Sequence, residues 1–242
     1  MPSTGPRYLL LQGRLLEDPM RIQEIRCFAH ALGCDEARIT PLDLLRDRPS
    51  IDQLETFDVV FIGGSGAYSI AGEEDWVEYV LETMRGLFDR QIPTFGSCWG
   101  FQVMARALGG TVVTDPERAE LGTIPLTLTD AALQDPVFGG CTTPLLAQQG
   151  HQDIVVTLPP GAVLLASSRQ VVNEAFCFTD RPIYCTQFHP ELRRGDFLER
   201  CHAYPQYVNE IAGLPLDEFI KTVQETPQAH QLIRRFVDHV LP

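Results

Sequence analysis

Residues 57–108 alternate between two kinds of pattern, and that alternation constrains the fold more than any other feature. FDVVFIGGSGAYSI (57–70) is a short apolar run that breaks into glycines, and DWVEYVLETMRGLFDRQ (75–91) carries apolar residues at helical spacing. IPTFGSC is again strand-like, and WGFQVMARALGG is helix-like with a Gly-Gly stop. Strands alternating with helices in this order form right-handed βαβ units, so the strands run parallel and helices cover both faces of their sheet. Upstream, RYLLLQG (7–13) reads as a buried strand and RITPLDLL as a second one. Between them MRIQEIRCFAHALG (20–33) reads as a helix with Ile22, Ile25, Phe28 or Ala29 and Leu32 on its apolar face and Gly33 as its stop. GTVVTDP and GTIPLTLTD read as strands of a more antiparallel region. Residues 145–190 are strand-rich, with LLAQQGHQDIVVTLP the longest such run, and the pattern from 193 onward is helical. The expectation is one α/β domain over residues 1–242, with a mainly parallel central sheet and helices on both faces. Its core spans about 7–192, and a helical C-terminal extension spans about 193–242. The extension is expected to pack on the core or make an interface, and nothing in it reads as catalytic.

Charge and cysteine usage narrow the function classes. The chain has 19 Lys+Arg against 32 Asp+Glu, a net charge of -13, which argues against non-specific binding to nucleic acid or an anionic membrane. The N-terminal stretch lacks a charged segment followed by an apolar one, and no apolar run approaches the roughly 20 residues of a membrane-spanning helix. The reading is cytoplasmic. The seven cysteines are irregularly spaced and include no C-x-x-C pair, so no metal site is expected and most are read as buried free thiols.

One cysteine stands apart. Gly96-Ser97-Cys98-Trp99-Gly100 has the spacing of a nucleophile elbow, a tight strand-to-helix turn whose flanking glycines leave room for the backbone. The same pentapeptide is also compatible with a glycine-bracketed turn around a buried thiol. A nucleophilic Cys98 needs a base, and His189-Pro190-Glu191 ends a strand-like run. Proline biases His189 towards extended backbone, where residues two apart share a face, so Glu191 can hold one ring nitrogen while the other faces Cys98. His230 and His239 lie in the C-terminal helical pattern and are expected at the surface. Acyl transfer also needs oxyanion donors. The residue after the nucleophile, Trp99, supplies one backbone N–H, and its indole is expected to shape the pocket. FIGGSGAYS (61–69) supplies close-approaching backbone at Gly63 and Gly64, as an oxyanion loop or as a phosphate-binding turn without the P-loop Lys-Ser/Thr.

FIGGSG, then GSCWGFQVMARALGG, then TQFHPEL, with about ninety residues between Cys98 and His189, resemble the class I (triad) glutamine amidotransferases. The resemblance covers roughly 55–192, and ELGTIPLTLTD and GHQDIVVTLPPGAVLLASS point to the branch related to the amidotransferase domain of GMP synthase. It implies a flavodoxin-like fold and no cofactor. It further implies a Cys98-His189-Glu191 triad that hydrolyses glutamine through a γ-glutamyl thioester, with oxyanion donors at Gly64 and Trp99. Gly63, Gln102, His151 and Asp153 would bind substrate, though His151-Gln152-Asp153 reads equally as a structural turn. The chain has no room for a synthetase domain, so a separate synthetase or acceptor protein is the implied partner. Two other readings stand beside it: a γ-glutamyl peptidase or hydrolase acting on γ-glutamyl peptides or conjugates, and a non-catalytic regulatory binding module.

Overall fold

A computed structural model describes residues 5–241. In chain order its main elements are β1 (Tyr8–Gln12), α1 (Met20–Leu32), β2 (Ile39–Asp43), β3 (Val59–Ile62), α2 (Val77–Asp89), β4 (Thr94–Ser97) and α3 (Trp99–Ala107). There follow β5 (Thr111–Thr114), β6 (Glu120–Leu128), β7 (Leu145–His151), β8 (Asp153–Thr157), β9 (Val163–Ser167), β10 (Ala175–Cys177), β11 (Ile183–Thr186), α4 (Arg194–Ala203) and α5 (Leu232–Val240). Nine strands form one sheet in the order β2-β1-β3-β4-β11-β10-β9-β6-β7. The first five run parallel and carry the expected βαβ architecture. The rest are added antiparallel, and β5 and β8 pair in a separate antiparallel ribbon.

The parallel half is buried on both faces, which is why its strands read as unbroken apolar runs rather than alternating ones. Along β3, Phe61 packs with Phe28, Phe95 and Phe236 from one side. Val60 and Ile62 point the other way, onto Val80 and Met84 of α2 and Phe101 of α3. The four neighbours β1, β3, β4 and β11 all end on the same side of the sheet. The chain leaves β1 for β2 on one flank and reaches β3 on the other, and such a reversal opens a crevice at the strand ends. No described helix is long and apolar enough to cross a membrane.

Three local readings need correction. α1 ends at a left-handed Gly33 (φ 64°), but its buried face is offset from the expected stripe: Ile22 is 72% exposed while Gln23 and Glu24 are buried. Polar partners inside the protein, described below, draw that face inward. LLAQQGHQDIVVTLP is two strands in two sheets, broken at Gln152, whose carbonyl accepts from the Asp115 amide. Past α4, Pro205 ends the helical run, and the chain continues as one turn (Pro205–Tyr207) and a π-helical turn (Val208–Ala212).

Because Phe61 is fully buried and Ile22 is not, their truncations should separate cleanly. Phe61→Ala should cost about 3–5 kcal/mol in urea denaturation, whereas Ile22→Ala should stay within about 0.5 kcal/mol of the parent.

Candidate active site

Cys98 joins β4 to α3 with φ 54° and ψ -99°, a conformation rare for a residue with a side chain. Holding it costs on the order of 1–3 kcal/mol, which the surroundings must supply. Its amide donates to Thr186 O of β11 at 2.8 Å, fixing the turn to the neighbouring strand. Neither flanking glycine can carry a side chain: a Cβ at Gly96 would lie 2.7 Å from the Gly100 carbonyl carbon, and one at Gly100 would lie 2.5 Å from Ile62 O.

His189 follows β11, and its own amide is anchored on Gln148 O of β7 at 2.9 Å. Its Nδ1 lies 2.7 Å from Glu191 Oε1. The second carboxylate oxygen of Glu191 accepts from Ser97 Oγ at 2.7 Å, and Arg200 Nη1 stands 3.7 Å from the first. The ring and the Cys98 thiol, itself 3.8 Å from Gly150 O, border the same cavity. Burial opposes the His189 charge, but Glu191 and Cys98 outweigh it and pull the imidazole up to about 9. Burial likewise opposes ionisation of Glu191, yet His189, Arg200 and the Ser97 hydroxyl hold it down to about 2. The site therefore favours a charged imidazolium–carboxylate pair at neutral pH.

The glycine loop lies against this pair. A Cβ at Gly64 would sit 2.9 Å from His189 Cε1 and 3.7 Å from Cys98 Cβ. The Gly64 amide, expected as an oxyanion donor, instead donates to Glu24 Oε1 at 3.1 Å. Glu24 is fully buried, and its carboxylate also accepts from Gln12 Nε2 at 2.9 Å and Arg14 Nη2 at 3.0 Å. Gly63 faces away from the thiol: its carbonyl accepts from Gly100 N at 3.1 Å and its amide donates to Leu11 O. Trp99 opens α3, where the first N–H groups of a helix have no intrahelical acceptor. Its indole is 1% exposed, packs on Gly13 and Trp76, and does not line the pocket as expected.

A cavity of about 300 Å³ opens over Cys98 and His189. Gln102 and Asp153 line it and are tied together, since Gln102 Nε2 donates to Asp153 O at 3.0 Å and to Gln187 Oε1 at 3.2 Å. The Asp153 carboxylate accepts from Ser69 Oγ and Thr114 Oγ1, both at 2.5 Å. The C-terminal extension, expected only to pack or make an interface, supplies Phe197, Arg200, Tyr204, Tyr207 and Ile211 to the lining.

With this geometry in place, comparison with known proteins is decisive about kinship. The family model of class-I glutamine amidotransferases matches residues 28–200. The chain belongs to that family. It is 33% identical over 165 residues to a subunit of the glutamine-hydrolysing GMP synthase of Sulfolobus acidocaldarius, covering 68% of this chain and 80% of that one. To the corresponding protein of Sulfurisphaera tokodaii it is 30% identical over 182 residues, covering 70% and 87%. The glutamine-hydrolysing GMP synthase of Lactobacillus delbrueckii subsp. bulgaricus is also 30% identical, but the match spans only 30% of its length. Among solved structures, a glutamine amidotransferase from Thermotoga maritima superposes with a TM-score of 0.75 at 20% identity, covering 98% of both chains. One from Methylobacillus flagellatus gives 0.71 at 20% identity, covering 96% and 94%. These two establish the shared fold.

Within this amidotransferase, His151 borders the cavity beside Gly150 and Asp153, with its imidazole held among buried carboxylates. Its side chain is 1% exposed, with Nδ1 3.2 Å from Asp153 O and Nε2 3.4 Å from Glu120 Oε2 and 4.0 Å from Glu174 Oε1. These three groups are the donor cluster among the described residues that could hold a metal, all within 4.8 Å. Burial and the Glu120 carboxylate push Glu174 well above the usual carboxylate range. A proton retained on Glu174 therefore relieves the repulsion between the two carboxylates without an ion. His230, expected at the surface, is half-buried, with Nδ1 2.9 Å from the carbonyl of Pro190.

Sequence reading missed four contributors. Gln187 directs Nε2 at Cys98 Sγ from 3.8 Å; it sits two residues before His189, the strand alternation that would have flagged it. Ser97 lay unselected inside the elbow. Glu24 and Arg200 had no such signal, because a charged residue on an amphipathic helix is read as solvent-facing. The elbow itself is directly testable: Gly100→Ala should lower stability by about 1–3 kcal/mol in chemical denaturation, because the added methyl meets the Ile62 carbonyl.

Proposed function

We propose that this amidotransferase hydrolyses the side-chain amide of glutamine through a Cys98–His189–Glu191 triad. The observation that carries the reading is that one cavity is lined by both a cysteine on a strained elbow and a buried histidine, with a carboxylate 2.7 Å behind that histidine. The Cys98 thiolate attacks the amide carbon. The oxyanion meets the Trp99 amide at the start of α3, where the helix dipole adds positive charge. His189 delivers its proton to the departing amine, and the C–N bond breaks to leave a γ-glutamyl thioester. Water, deprotonated by the now neutral His189, releases glutamate. Gln102 and Asp153 border the polar side of the cavity, where the amino-acid end of the substrate is held.

The relatives from Sulfolobus acidocaldarius and Sulfurisphaera tokodaii are named as subunits of a GMP synthase. This chain spans most of their length but under a third of the longer Lactobacillus synthase. By that kinship the ammonia passes to a separate synthetase protein. The cavity favours a second reading, a hydrolase of larger γ-glutamyl amides, because the extension adds a wall that free glutamine does not need.

Cys98→Ala should abolish glutamate release, measured by a coupled dehydrogenase assay, while leaving the denaturation midpoint close to the parent's; retained turnover would exclude the triad. The pH profile gives a separate check. His189 must carry a proton to expel the amine, so kcat/KM should fall as pH rises through about 9. Glu191 helps raise that value, so Glu191→Gln should move the alkaline limb towards the usual histidine range. An unmoved limb would remove Glu191 from its role.

A further inference from the structure

We infer that Glu120, His151 and Glu174 form a binding site for one divalent metal ion of the zinc class, which braces the polar wall of the cavity.

Three elements bring the ligands together. Glu120 opens β6 and His151 closes β7, and the two are Cα partners in the β6–β7 register. Glu174 directly precedes β10; its amide donates to Ala166 O of β9 at 3.0 Å and its carbonyl accepts from Gln187 N at 2.7 Å. All three side chains are at most 1% exposed. His151 Nε2 stands 3.4 Å from Glu120 Oε2 and 4.0 Å from Glu174 Oε1. None of these three buried atoms has a hydrogen-bond partner. Gln149 donates its amide nitrogen to the other Glu174 oxygen and leaves its own carbonyl oxygen unpartnered.

The tautomer of His151 points to a cation. Its Nδ1 lies 3.2 Å from Asp153 O, and a carbonyl oxygen only accepts, so Nδ1 carries the proton. In the neutral ring Nε2 then presents a lone pair to two carboxylate oxygens. A proton held on Glu174 eases the repulsion between the carboxylates but gives that lone pair no partner. Among the described residues no arginine or lysine pairs with Glu120 or Glu174. A divalent ion in place of the proton answers the lone pair and both carboxylates at once. A histidine that ligates a metal through one nitrogen while donating the other N–H to a backbone carbonyl is the usual arrangement.

The donor set selects the ion. One imidazole with two carboxylates suits zinc, whereas calcium and magnesium take oxygen ligands. Zinc binds such atoms at about 2.0–2.2 Å, which holds tetrahedral ligands roughly 3.3–3.6 Å apart. The three donor atoms already lie within 4.8 Å of one another, so side-chain movements of about an ångström close them on one ion. His151 borders the cavity, which supplies the path of entry. The consequence reaches the cavity through Asp153. Its carbonyl meets both His151 Nδ1 and Gln102 Nε2, and its carboxylate accepts from Ser69 and Thr114. An ion that fixes the His151 ring therefore fixes the wall those residues form.

The test titrates the purified full chain with zinc chloride by calorimetry after dialysis against a chelator. One zinc should bind per chain, equally well in Cys98→Ala, and the thermal midpoint should rise with zinc. Glu174→Gln keeps the shape of a protonated Glu174 and should weaken zinc binding by about a hundredfold or more. Cobalt(II) bound to the parent protein should show ligand-field bands without the sulfur-to-cobalt charge-transfer absorption of a thiolate site, a readout that does not depend on any variant folding. Failure to bind zinc at one per chain, a thiolate spectrum, or an affinity that Glu174→Gln leaves unchanged overturns the proposal and assigns the cluster to a proton or a buried water.

Discussion

Everything at the site depends on one backbone constraint, the left-handed turn at Cys98. It exists only because β4, α3 and the end of β3 approach too closely for side chains at positions 96 and 100. The close approach is set by the buried apolar faces of the sheet, so the core and the elbow are one structure: Phe61, Val60 and Ile62 place β3, and Ile62 O then forbids a side chain at Gly100. The strain at Cys98 is maintained by packing that would be favourable without it.

Around that elbow the charges form one connected group. Arg200 lies between Glu191, which orients His189, and Glu24, which holds the Gly64 amide. The histidine and the glycine loop therefore share a half-buried cation, and a change in the protonation or position of one carboxylate is felt at the other. The loop keeps Gly64 N–H on Glu24, whereas the Trp99 N–H at the start of α3 has no intrahelical acceptor.

Much of this was legible in the sequence. The alternation of apolar strands and amphipathic helices specified the parallel half, and the elbow spacing with His189 and Glu191 pointed to residues that the structure brings to one cavity. What escaped was pairing between polar groups. Glu24 on α1 looks solvated until Gln12, Arg14 and the Gly64 amide are seen converging on it, and α1 turns Ile22 outward to accommodate that. His151 and Gly63 stand near the site as expected of substrate residues, but the His151 side chain is buried beside Glu120 and Glu174 and the Gly63 amide and carbonyl are bonded to the main chain. The π-helical turn and its apolar neighbours were hidden for a different reason: a helical pattern of residues says nothing about which cavity its apolar face completes.

The hydroxyl of Tyr207 meets the carbonyl of Gly66 across 141 positions of sequence. A nascent chain that has completed β4 and α3 possesses the thiol but neither the histidine beside it nor the far cavity wall, which arrive only with residues 189 to 211. Pairings this distant form late, because the entropy of closing long loops must be met first. The cavity around Cys98 is thus completed only in the finished fold, and an unfinished chain carries an ordinary cysteine.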